Sequence, residues 1–244
     1  MSIESVKGKW ALITGASRGV GKQVSLAMAK LGTNLVLHSR DAAHTDPVAK
    51  ECRALGVKVA QVAGELSDQT QVDSMLDAAL KAAGQIDIVF NNAALMTKYR
   101  QDPWTVTAEE FRTSFEINVI ALARICNRLV PPMIQRKWGR VVNTTSGIKE
   151  QPELIAYSIS KGAVDKYVRD FAPSLKDTGV MMNLLDPGWL RTDLGGPNAP
   201  NAVESVVPGA IVSALLDDGI SGRLFRAQDY AGMGLADALK KATS

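Results

Sequence analysis

The chain is poor in every feature that would name a partner from composition alone. Cysteine is nearly missing: Cys52 and Cys126 are the only two in 244 residues, and neither has the close Cys or His neighbour that a zinc site or redox pair requires. Both are expected in helices, buried, reduced and structural, as suits the cytosol. One-sided charge is missing too. Twenty-eight basic residues face 25 acidic ones, with no basic run of the kind that binds nucleic acid or lipid. No uninterrupted apolar run approaches the ~20 residues that span a bilayer, and the opening MSIESVKGKW has no apolar signal core. No repeat or low-complexity tract occurs. A cytoplasmic protein with neither nucleic acid nor membrane as partner is expected, and 46% hydrophobic residues suffice for one sizeable core.

What is present is alternation. Short Val-, Ile- and Leu-rich runs recur between segments of helical period, the pattern of a parallel sheet covered on both faces. Strands are expected at Trp10–Thr14, Asn34–His38, Lys58–Val62, Ile86–Asn91, Arg140–Thr145, Val180–Leu185 and Arg223–Arg226. Helices are expected at Gly19–Leu31, Pro47–Leu55, Gln69–Ala83, Ala108–Met133, Ala156–Lys176 and Ala202–Leu216. Gly32, Gly56, Gly84 and Gly179 follow helices where a left-handed cap is needed. The fold class is α/β: one domain over 1–244, a doubly wound three-layer sandwich around a mostly parallel seven-stranded sheet, with ligands at the carboxyl ends of the strands. The aperiodic stretch Trp189–Asn201 is expected to be a substrate lid.

The first strand runs into Thr14-Gly15-Ala16-Ser17-Arg18-Gly19-Val20-Gly21 and then a helix. Strand, glycine turn and helix N-terminus in that order let backbone N–H groups and the helix dipole meet a pyrophosphate. Gly15 permits the turn, Gly19 admits the phosphates, and Gly21 lets the helix pack closely on the strand.

TGxxxGxG in this position resembles the short-chain dehydrogenase/reductase family, whose Rossmann-type fold matches the expected topology. Four further features follow in order: Asn91-Asn92-Ala93-Ala94, similar to the family's NNAG with alanine for the last glycine; Asn118; Tyr157 with Lys161 in YxxxK; and Pro187-Gly188 with Thr192 in PGxxxT. The resemblance covers Lys9 to Thr192. It implies that Asn91 and Ala93 line the cofactor, that Asn118 anchors a water linking Lys161 to solvent, and that Pro187, Gly188, Leu190 and Thr192 close over the nicotinamide. It also implies a homodimer or homotetramer formed through the two long helices.

NADPH is the expected cofactor. Ser39 stands where the family's NAD members carry Asp, and Arg40 and Arg18 can fork onto a 2′-phosphate. Glu65 replaces the usual adenine-binding Asp, with the Leu66 N–H as a substitute contact.

Tyr157 and Lys161 are a turn apart on one helix face. A phenol of ordinary pKa near 10 is a poor acid–base catalyst at neutrality, and an adjacent ammonium is expected to favour the phenolate. Lys161 would also hold the nicotinamide ribose. The tetrad serine has two candidate positions. Strand register selects Ser146, whereas the family's common spacing of thirteen residues before Tyr157 selects Thr144; Thr145 is a third possibility. Leu95, Met96, Ile148, Trp189 and Leu194 are the expected pocket walls, suited to a ketone or aldehyde with an apolar substituent, while Lys149 and Arg191 offer charge for an anionic one. The function implied is NADP(H)-dependent interconversion of carbonyl and alcohol. A redox sensor or scaffold that binds NADPH without turnover is the alternative, and epimerisation or enoyl reduction a different chemistry on the same fold.

Overall fold

The computed structural model describes residues 3–244. Seven strands form one sheet: β1 (Trp10–Ile13), β2 (Asn34–Ser39), β3 (Val59–Ala63), β4 (Ile88–Asn91), β5 (Gly139–Thr144), β6 (Val180–Asp186) and β7 (Leu224–Arg226). Their spatial order is β3-β2-β1-β4-β5-β6-β7, and every pairing is parallel. The sheet is thus wholly, rather than mostly, parallel. Its chain order reverses between β1 and β4, which opens a crevice at their carboxyl ends.

Period-two alternation assigns each strand residue to one of two cores. Ala11, Ile13, Leu35, Leu37, Ile88 and Phe90 face α1 (Gly19–Lys30), α2 (Asp46–Ala54), α7 (Gly209–Leu215) and α8 (Leu235–Thr243). Leu12, Val36, Val89, Val141, Met182 and Leu184 face α3 (Gln69–Ala83), α5 (Ala121–Gln135) and α6 (Ile155–Phe171). Both cysteines are free and buried, and burial pushes their thiols up to about 11 for Cys52 and about 12 for Cys126.

Helix ends follow local chemistry. Asp68 caps α3 by accepting from Thr70 and Gln71 N–H, and Thr107 with Glu110 forms a capping box on α4 (Ala108–Phe115). The expected helix 108–133 is real but passes through a π turn at Glu116–Ile120. Segment 108–135 is long and apolar enough to cross a bilayer. Here it lies on the sheet, burying Ile125, Leu129 and Met133, and its Arg124 and Arg128 pair with Asp73 and Asp77 of α3. Helix α6 ends in a 3-10 turn at Ala172–Leu175, where Pro173 intervenes. The expected helix 202–216 is split into a 3-10 turn, Val203–Val206, and α7, with Pro208 between them. Helix α8 escaped the sequence pattern because its nine residues bury only Ala238 and Leu239.

Gly21 is the tightest point of the first turn of α1. A Cβ there would lie 2.2 Å from Gly15 O and 2.8 Å from Asn92 Nδ2, so any side chain must push the helix off the sheet. Gly21→Ala is expected to lower unfolding stability by about 2 kcal/mol, read from the urea midpoint at unchanged slope.

Candidate active site

The nucleotide end is built where β1 meets β4. Thr14 Oγ1 accepts from Asn92 N and Ala93 N, both at 3.0 Å, and Asn92 Nδ2 donates to Thr14 O at 3.0 Å and Gly15 O at 3.3 Å. Asn92 is a structural clamp that the motif reading did not single out. The Asn91 amide donates to Asn143 Oδ1 at 2.9 Å and faces Cys126, so only its backbone is free to line a cofactor. Gly15 and Gly19 take left-handed φ of 65° and 56°, which their missing side chains permit.

Beneath the loop, buried His38 receives the Gly15 N–H on Nδ1 at 3.5 Å, and its Nε2 lies 2.9 Å from Gly64 O. That pattern puts the ring proton on Nε2. Burial lowers the pKa of His38, so the ring stays neutral and the tie between loop and β3 holds.

Ser39 is buried and donates to Asp41 O at 2.5 Å. Arg40 is exposed and has no ion pair among the described residues. Arg18 is also exposed and reaches across to Asp193 at 3.1 Å. Glu65 Oε1 accepts from Ser67 N at 3.1 Å, and Leu66 is buried.

The chemical end joins the carboxyl end of β5 to α6. The hydroxyl of Ser146 lies close enough to the phenol of Tyr157 to act on its ionisation, and its Oγ accepts from Ile148 N at 3.3 Å. Thr145 and Thr144 make different contacts. Thr145 Oγ1 donates to Asp165 at 2.5 Å, and Thr144 meets the site through its carbonyl, which accepts from Lys161 Nζ at 2.7 Å. Lys161 Nζ stands 5.8 Å from the centroid of the Tyr157 ring.

Burial pushes the pKa of the Tyr157 phenol above its ordinary value, the Ser146 hydroxyl opposes this, and the charge of Asp186 adds to the rise. Lys161 is spent on Thr144 O, and burial brings its own pKa down to about 8.

Asn118 sits in the π turn, a distortion that often marks functional sites. Its side chain is fully engaged: Oδ1 accepts from Leu95 N at 2.8 Å, and Nδ2 donates to Leu95 O at 2.8 Å and Ser160 Oγ at 2.9 Å. Ser160 in turn donates to Tyr157 O at 2.7 Å. The carboxamide therefore braces the loop after β4 against the turn of α6 that carries Tyr157.

After β6, Gly188 has φ 79°, and Pro187 O accepts from Gln228 Nε2 at 2.9 Å. The following segment is tied to itself: Trp189 Nε1 donates to Gly195 O at 2.7 Å, Arg191 Nη1 to Ala199 O and Pro200 O at 3.0 and 2.8 Å, and Gly195 N to Thr192 Oγ1 at 3.0 Å. Arg191 is thus committed to the segment's own backbone. Leu190 is buried, and Thr192 covers the glycine loop, 3.6 Å from where a Cβ on Gly19 would be. Leu95 and Met96 line a cavity of about 520 Å³ against Thr107 and Thr113, with Trp189 and Leu194 exposed apart from it.

The sequence profile of the short chain dehydrogenase family matches residues 9–202. Versicolorin reductase 1 of Dothistroma septosporum is 33% identical over 204 residues, covering 80% of this chain and 74% of the relative. The 7alpha-hydroxysteroid dehydrogenase of Escherichia coli is 27% identical over 231 residues, covering 93% and 86%. A metagenomic short-chain oxidoreductase in complex with NADP superposes with a TM-score of 0.78 at 26% identity, over 91% of this chain and 98% of the other. NAD+-bound xylitol dehydrogenase shares the fold with a TM-score of 0.81 at 22% identity over the same shares, 91% and 98%. With that profile laid over a cleft built at the switch point of a parallel sheet, the chain belongs to the short-chain dehydrogenase/reductase family, oxidoreductases that interconvert carbonyls and alcohols with a nicotinamide dinucleotide.

Proposed function

We propose that this protein is an NADP(H)-dependent carbonyl reductase in which Tyr157 is the general acid and Ser146 the hydrogen-bond donor to the substrate oxygen. The observation that carries the reading is the convergence of Ser146, Tyr157 and Lys161 where the carboxyl end of β5 meets α6, on the same sheet edge as a glycine turn whose Gly15 and Gly19 take left-handed φ. When bound, the dinucleotide supplies the hydride. It would be held by the loop from Gly15 to Gly21, with Ser17, Arg18 and Val20, and by Ser39, Arg40, Glu65, Leu66, the backbone of Asn91, Ala93, Lys161, Pro187, Gly188, Leu190 and Thr192.

As hydride reaches the carbonyl carbon, the Tyr157 O–H bond breaks and its proton passes to the substrate oxygen, while Ser146 donates to the same developing alkoxide. A phenol held protonated suits this reducing direction. Lys161 then supports return of the proton to Tyr157, and segment 189–201 acts as the lid. The 2′-phosphate would recruit Arg40, which has no competing ion pair among the described residues, and would compete with Asp193 for Arg18. Exposed Ile120, Ile159 and Phe171 suit a homodimer or homotetramer packed through α5 and α6.

Tyr157→Phe is expected to lower kcat with NADPH by about 10² to 10⁴ fold while leaving cofactor affinity near wild type; substantial residual turnover would remove the phenol from the chemistry. Ser146→Ala should cause a comparable fall in kcat, and Thr144→Val little, with thermal melting run alongside. An inactive, folded Thr144→Val beside an active Ser146→Ala would move the serine role to Thr144.

Cofactor choice is tested by Arg40→Asp, which should weaken NADPH at least about tenfold more than NADH in fluorescence titrations. Equal losses, or a wild type that prefers NADH, would overturn the NADP assignment.

Lys161 predicts a trade of stability for function. Its folded pKa of about 8 lies below the usual 10.5, so its stabilising balance is fullest above 10.5 and is lost as pH falls through 8. At pH 7 the fold carries this penalty. Lys161→Met is therefore expected to be inactive yet to melt roughly 3–8 °C higher at pH 7, with the difference shrinking as pH approaches 10. A lower Tm at pH 7 would show that the contact to Thr144 O outweighs the desolvation.

A further inference from the structure

The carboxyl end of β6 brings a charged side chain into the reaction centre that neither the tetrad nor the cofactor cradle uses. Asp186 is the last residue of β6 and is 9% exposed. Its Oδ1 accepts from Gly188 N at 2.9 Å. Its Oδ2 lies against the residue after Ser146, so close that a Cβ on Gly147 would stand 2.6 Å from it. That oxygen has no hydrogen-bond partner among the described residues and is not sealed from solvent. The carboxylate thus stands among the Ser146-Gly147 turn, the Gly188 turn and the phenol of Tyr157, on which its charge acts.

A carboxylate accepts about four hydrogen bonds, and one that is nine-tenths buried loses most of its water without replacing those bonds. Capping the Pro187-Gly188 turn accounts for Oδ1 alone, and an asparagine oxygen would do the same. Oδ2 is left as unused, negatively charged acceptor capacity beside the group that meets the substrate. An apolar or anionic substituent placed there would bury the oxygen unpaired, whereas a donor would make a charge-assisted bond.

We propose that Asp186 is a specificity-determining residue, which selects carbonyl substrates carrying a hydrogen-bond donor, hydroxyl or ammonium, beside the reacting carbon and disfavours those carrying a carboxylate there. The inference rests on the reading of this site as a carbonyl–alcohol oxidoreductase centre.

The test is equilibrium binding to the enzyme–NADPH complex, followed by NADPH fluorescence, of three alcohols that reduced cofactor leaves unreacted: 1-amino-2-propanol, its near-isostere 2-butanol, and lactate. Wild type should bind the amino alcohol at least about tenfold tighter than 2-butanol and lactate more weakly than either. In Asp186→Asn, which keeps the acceptor for Gly188 N, the amino alcohol should lose its advantage and lactate should gain, with NADPH affinity unchanged; Asp186→Ser should do the same if the asparagine variant fails to melt cooperatively.

A ratio near one in wild type, or a tenfold ratio that survives both substitutions, overturns the proposal. Because the ratio is read without turnover, the two readings fail separately. A wild type that shows the ratio but reduces no carbonyl sinks the proposed reaction and leaves Asp186 standing. One that reduces carbonyls with a ratio near one does the reverse.

Discussion

The joint between β1 and β4 is the contact on which everything else hangs. A single hydroxyl, Thr14 Oγ1, takes two backbone N–H groups from Asn92 and Ala93, and the Asn92 amide returns two bonds to the carbonyls of Thr14 and Gly15. Around that joint the sheet changes direction, and both the phosphate turn and the loop after β4 leave from it. From Ala93 the path runs two residues on to Leu95, through the Asn118 carboxamide to Ser160, and so to the backbone of Tyr157. The glycine turn and the turn of α6 that carries Tyr157 are thus mechanically continuous through hydrogen-bonded side chains.

The same cleft concentrates polar groups where the fold would otherwise place apolar ones. Lys161, Asn118, Ser160, His38 and Asp186 are all buried, and burial displaces the titrations of Lys161, Tyr157 and His38. Such displacement is the mark of a site whose environment is set for chemistry rather than for stability. The direction is informative. A phenol made harder to ionise and an ammonium made easier to deprotonate keep the proton on the tyrosine.

Most of the architecture was legible in the sequence because a parallel sheet buried on both faces writes itself as apolar runs punctuated by glycine. The strand ends agree within two residues, and Gln69–Ala83 agrees at both ends. What escaped notice depended on contacts rather than periods. The π turn at Glu116–Ile120 leaves no trace in a helical pattern, and α8 is too short and too little buried to show one. The motif reading placed Tyr157 and Lys161 side by side, yet could not foresee that Lys161 would donate to Thr144 O. Nor does the spacing of Asn118 reveal that its amide ties Leu95 to Ser160. Asp186 was passed over because an aspartate before Pro-Gly looks, in a string of letters, like an ordinary turn residue.

The pairing of β1 with β4 sets Ile13 opposite Phe90, and this separation governs how the protein comes into being. Closing so long a stretch of chain must be paid for in entropy before the contacts it brings can form. A ribosome that has delivered the glycine loop has therefore not yet delivered a nucleotide pocket: His38 on β2 can already hold the loop, but the Asn92 and Ala93 contacts to Thr14 and Gly15 emerge some eighty positions later. Any fragment ending before β4 is left with a strand edge waiting for its partner, and this stretch of synthesis is where a chaperone would find most to cover.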